Sequence, residues 1–65
     1  METNTDTGEF VRHARSTLEL SQTKFGELVG RTKRSIISYE QGEPLPEAVR
    51  LAILHLLAEH ERADQ

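Results

Sequence analysis

Four residues punctuate the middle of this chain at intervals that admit few folds: Ser21, Gly30, Thr32 and Gly42. Serine and threonine are favoured N-caps, because a side-chain oxygen accepts from a backbone N–H that the first helical turn leaves free. Glycine is the favoured stop, because it takes the left-handed conformation at a helix end without the steric cost of a β-carbon. The order cap, stop, cap, stop predicts two helices of about two turns each, joined by three or four residues around Gly30. In the first, Phe25, Leu28 and Val29 follow the i, i+3, i+4 pattern of a buried face. In the second, Ser35, Ile36, Tyr39 and Glu40 turn inward or sideways, with Ile36 reading as core.

The flanks also read as helical. A first helix is expected from Asp6 or Thr7, with Asp6 as cap and Glu9 in the reciprocal position, and with Phe10, Ala14 and Leu18 on one face. Residues 1–5 are expected to be disordered. After Gly42, Pro44 and Pro46 break the chain, and Pro46 suits the first position of a helix, where its missing N–H costs nothing. A long helix over 46–62 should follow, leaving 63–65 as a frayed tail. On it Leu45, Val49, Ala52 and Leu56 make one stripe, flanked by Ala48 and Ile53, that should close the core. Leu51, Leu54 and Ala58 make a second stripe on the opposite side, with Leu57 between the two. The expected fold is therefore all-α: one compact domain over 6–62, with the paired short helices at 21–42.

Sixty-five residues close only one modest core and leave no room for an enzyme cleft. The absence of cysteine removes disulfides and thiolate metal sites, so packing or a partner subunit must supply stability. His55 and Glu59 have the i, i+4 spacing of a shared metal, but two ligands do not make a site. No strand precedes a glycine-rich loop, and no metal, cofactor or small-molecule ligand is expected. No run approaches the roughly 20 apolar residues of a membrane span, and the polar start lacks the basic and apolar regions of a signal peptide. A cytoplasmic protein is expected.

The net charge of −3 speaks against nucleic acid only if taken whole. Residues 1–20 carry Glu2, Asp6, Glu9 and Glu19 against Arg12 and Arg15, and residues 43–65 carry five acids against Arg50 and Arg62. Residues 21–42 reverse the sign, with Lys24, Arg31, Lys33 and Arg34 against Glu27 and Glu40. Charge alone fits a solvated helix face as well as a binding surface.

The run Leu20-Ser-Gln-Thr-Lys-Phe-Gly-Glu-Leu-Val-Gly-Arg-Thr-Lys-Arg-Ser-Ile-Ile-Ser-Tyr-Glu-Gln-Gly42 resembles the phage repressor and Cro-like helix-turn-helix family. The likeness covers about a third of the chain: Ser-Gln at the first helix start, Val-Gly at the turn, Ser-Ile in the next helix, Glu and Gly at its end. Gly26 departs mildly from it, since the family usually has alanine there. The resemblance implies a lambda-repressor-like domain whose second short helix lies in the DNA major groove, with Lys33, Arg34 and Ser38 reading bases. Arginine and lysine suit guanine, where arginine can bond both O6 and N7. Ile37 could touch a thymine methyl or be an exposed isoleucine with no role. Tyr39 is core or a hydroxyl reaching a phosphate. Phosphate contacts are expected from Gln22, Lys24, Arg31, Thr32 and Gln41, with Arg12 a weaker candidate. The resemblance further implies that Gln22 braces the reading helix and that Arg15 and Glu40 form a buried structural salt bridge. The family commonly has five helices, and this chain has space for four, the last unusually long.

The function these features imply is a dimeric, sequence-specific transcriptional regulator, a repressor of its own operon in a phage or mobile element, bound to a pseudo-palindromic operator on double-stranded DNA. Dimerisation follows because one reading helix touches only a few base pairs. The homodimer interface is expected at Leu51, Leu54, Leu57 and Ala58. The alternative is an antitoxin-type module whose acidic C-terminal helix docks onto a partner protein.

Overall fold

The computed structural model describes the backbone of residues 3–63 and the side chains of residues 7–63. Four helices follow one another: α1 (Thr3–Leu18), α2 (Gln22–Val29), α3 (Lys33–Glu40) and α4 (Glu47–Ala63). Both short helices begin and end where the capping chemistry directs. Ser21 accepts from the Lys24 N–H at 3.1 Å, and Thr32 accepts from the Ser35 N–H at 3.1 Å. Gly30 takes the left-handed conformation at φ 76°.

One device closes each of the first three helices. The Leu20 N–H returns to the Arg15 carbonyl and Glu19 to Ser16; Arg31 returns to Gly26 and Gly30 to Glu27; Glu43 returns to Ser38 and Gly42 to Tyr39. These crossed bonds form a Schellman motif each time, around a left-handed residue at 19, 30 or 42. Two of those residues are glycines. Glu19 adopts φ 57° with a β-carbon, at a cost of about 1 kcal/mol.

The elements differ from the sequence reading at their outer ends. Helix α1 begins at Thr3 rather than at Asp6 or Thr7, so it takes in part of the stretch expected to be disordered. Thr3, Asn4, Thr5 and Asp6 are all N-cap formers, and local chemistry does not choose among them. Helix α4 begins at Glu47, because the Pro46 carbonyl accepts from the Arg50 N–H at 3.0 Å, which makes Pro46 the cap rather than the first helical residue. At its other end α4 runs through Ala63.

All four helices supply the core. Val11, Ala14, Phe25, Ile36, Tyr39, Val49 and Ile53 are buried. Phe10, Leu18, Leu20, Val29, Leu45, Leu56 and Leu57 pack around them. On α4 the deepest positions are Val49 and Ile53, with Ala48 exposed, so the buried stripe is rotated toward Ile53 from the one centred on Val49 and Ala52. Leu28 is 47% exposed and is not part of the core, because α2 turns only Phe25, Gly26 and Val29 inward. On α1, Val11 rather than Phe10 is the fully buried member. The radius of gyration, 11.2 Å, matches the roughly 11 Å of a compact chain of this length. Among the described residues no helix is long and apolar enough to cross a membrane.

Candidate nucleic-acid interface

The geometry of the α2–turn–α3 unit is set by glycine contacts and by one carboxylate. A β-carbon on Gly26 would stand 2.8 Å from the Arg31 carbonyl oxygen and 3.1 Å from Thr32 backbone atoms. The turn therefore folds directly onto α2, and a methyl there would lever α3 away. Gly8 has the same role for α1: a β-carbon would stand 2.5 Å from the Glu40 carbonyl oxygen. Helix α1 rests on the end of α3 at backbone contact.

Glu40 holds that end in place. Its carboxylate accepts from Arg15 Nε at 2.6 Å and Nη2 at 3.4 Å, and from Gln22 Nε2 at 3.2 Å. Its backbone carbonyl accepts from Arg12 Nη2 at 2.7 Å. Arg15 Nη1 also donates to the Leu20 carbonyl at 3.2 Å. The Glu40 side chain is 7% exposed and that of Arg15 25%, so the pair is largely withdrawn from water. One acid thus ties α1, the α1–α2 connection and α2 to α3. Removing it would strand Arg15 next to a core it cannot enter, and stranding one partner costs more than the intact pair contributes.

The other end of α3 is open. Lys33 and Arg34 occupy its first turn and are exposed, as is Arg31 in the turn before it. Among the described residues none of these three cations has a side-chain hydrogen bond or ion pair. Ile37 and Ser38 lie one turn along and are half-buried, and Gln41 is exposed at the helix end. Lys24 is exposed and sits 3.8 Å from Glu27, a loose surface pair. Thr32 is committed locally: besides capping α3, its hydroxyl donates to Ser35 Oγ at 3.2 Å. Gln22 is half-buried, with its amide nitrogen held by Glu40 and its carbonyl oxygen free to accept from another donor.

Sequence reasoning grouped most of these residues as one surface, and the fold separates them by task. Lys33, Arg34, Ser38, Ile37, Gln41 and Arg31 belong to α3 and its approach. Arg12, read as a weak phosphate candidate, is spent on the Glu40 carbonyl. Gly8 went unread, because a glycine inside a helical pattern signals only local weakness until the backbone it admits is seen. On α4, Leu51, Leu54 and Ala58 are exposed while Leu57 is half-buried against the core. His55 Nε2 lies 3.7 Å from Glu59. Hydrogen bonds from Arg50, and then its charge, hold the Glu47 carboxyl below its ordinary range. The same contact raises the Arg50 guanidinium.

No protein-family model, curated protein or solved structure matches the chain.

Proposed function

We infer that the α2–turn–α3 unit is a helix-turn-helix of the lambda-repressor-like type, and that the protein is a sequence-specific DNA-binding transcriptional regulator. The observation that carries the reading is α3 itself: anchored at its carboxyl end and bearing, at its amino end, exposed cations that have no partner among the described residues. A helix held so can enter the major groove with its first turn against base edges. Lys33 and Arg34 then meet guanine acceptors, and Ser38, which can donate or accept, reads the next position. Ile37 lies beside them for a thymine methyl. Arg31, Lys24 and Gln41 reach the flanking phosphates, together with the N–H groups at the start of α2 beside Gln22 and at Thr32.

Outside residues 21–42 the chain is acidic, so non-specific attraction to DNA is small and affinity leans on base contacts and on two subunits sharing a pseudo-palindromic site. A cytoplasmic repressor of its own operon is the simplest such regulator. The test is an electrophoretic mobility shift with the promoter of the operon that encodes it. A shift at sub-micromolar protein that falls steeply with salt is expected, and no shift at micromolar protein in low salt would refute the reading. The exposure of Leu51 and Leu54 favours a second reading, an antitoxin-type module whose α4 docks onto a foreign protein.

A further inference from the structure

Ile37 is the apolar exception on the open side of α3. Lys33, Arg34, Ser38 and Gln41 around it are all polar, and Ile37 itself is only half-buried. Its neighbour Ile36 is fully buried, whereas Ile37 is not among the apolar side chains that pack against the core. A branched residue at such a position is a poorer helix former than alanine, and it keeps apolar surface in water. Ile37 follows Arg34 by three residues and Lys33 by four, the two spacings that make side chains neighbours on a helix surface. From Arg34 to Ile37 the helix rises about 4.5 Å, and successive base pairs stack about 3.4 Å apart. When α3 lies along the groove with Arg34 on a guanine, Ile37 therefore reaches the adjoining base pair.

We propose that Ile37 senses the C5-methyl group of a pyrimidine beside that guanine, so that methylation of a cytosine there strengthens binding, as thymine does. This rests on the DNA reading and adds a regulation of the same face. In the major groove thymine shows a carbonyl acceptor and a methyl group, cytosine an amino donor and a bare C5–H. A side chain that hydrogen-bonds tells the acceptor from the donor. Isoleucine neither donates nor accepts, so the difference it responds to is the methyl group alone. Methylating cytosine at C5 puts the same group at the same edge of the groove, and it leaves unchanged the guanine O6 and N7 that Arg34 takes. The aliphatic stems of Lys33 and Arg34 are the neighbours of Ile37 on the helix, so a methyl group seated there is shielded from water. The sign follows from burial: the mark adds affinity and its absence removes it.

Selection of duplexes from a random pool by the native chain, followed by fluorescence-anisotropy titration of the enriched duplex, decides it. The enriched half-site is expected to hold a thymine in the base pair next to a guanine. Duplexes are then made that differ only at that pyrimidine: thymine, uracil, cytosine or 5-methylcytosine. Thymine over uracil, and 5-methylcytosine over cytosine, should each gain about fourfold in affinity per half-site, the worth of one buried methyl group, and roughly fifteenfold across two independent half-sites. In Ile37→Ala, with circular dichroism to confirm unchanged helix content, both gains should all but vanish. An enriched half-site with no thymine beside its guanine, a native chain indifferent to both methyl groups, or an Ile37→Ala chain that keeps the gains would overturn the proposal and leave the DNA reading standing. A pool in which no duplex is enriched refutes the DNA reading, and the proposal with it. The comparisons within the native chain decide the matter even if the variant does not fold.

Discussion

At its amino-terminal end α3 carries two cations that the protein leaves in water; at its carboxyl-terminal end it carries one acid on which α1, α2 and their connection converge. The acid is costly to disturb because it is desolvated and fully bonded. The cations are cheap to change because neither has a side-chain partner among the described residues. A helix eight residues long cannot hold a fixed direction by its own propensity. Its direction is imposed at one end, and the other end stays open to solvent.

Substitutions at the two ends should therefore separate stability from binding. Glu40→Ala should have the largest effect, lowering unfolding free energy by about 3 kcal/mol, the lower end for a broken buried pair because Arg15 keeps partial access to water. Chemical denaturation measures this, and a loss under 1 kcal/mol would mean that Arg15 finds another partner. Gly8→Ala should cost about 2 kcal/mol by pushing α1 off the Glu40 carbonyl, read as a lower melting temperature with helix content kept. Arg34→Ala should leave the melting temperature unchanged and weaken operator binding roughly tenfold per half-site, within the range of one base contact. Equal affinity would place the reading face elsewhere on α3. Lys33→Ala should act more weakly and should flatten the dependence of affinity on salt if it touches phosphate rather than base.

The smallest effect belongs to an ion pair that anchors nothing. Arg50 lowers the Glu47 carboxyl from its ordinary value of 4.5, so the pair's contribution is present in full above that pH and fades as pH falls through the lowered value. Comparing native protein with Glu47→Gln in denaturation between pH 3 and 7 should show a barely resolved difference, present only toward neutrality. A difference as large as that of Glu40→Ala would remove the contrast between anchored and exposed charge.

What the sequence disclosed follows the range of the interactions. Ser21, Gly30, Thr32 and Gly42 act within a few residues, and the ends of α2 and α3 were legible from them. The Arg15–Glu40 pair spans two helices and was legible only through the family resemblance. Val11 was missed because Phe10, Ala14 and Leu18, spaced by four, drift around a helix, whereas Val11, Ala14 and Leu18, spaced by three and four, hold one side. Leu28 fits the apolar pattern of α2 yet stays in solvent, since so short a helix buries only the narrow strip beneath it. Of the candidate interface, the exposed cations were legible from charge and position. The anchoring by Gly8 and Arg12 was not, because both meet backbone atoms, which carry no residue identity to read.

The three repeated helix endings also bear on how quickly the molecule forms. Each sends the chain back through a turn of a few residues, so helices adjacent in sequence become adjacent in space. Helical chains with such local topology cross their folding barrier in roughly microseconds to milliseconds. For the proposed dimeric regulator, meeting a second copy is the slower step, because docking two specific patches limits the encounter rate. A freshly synthesised chain would then wait on its partner rather than on its own folding, and the onset of control would track protein concentration.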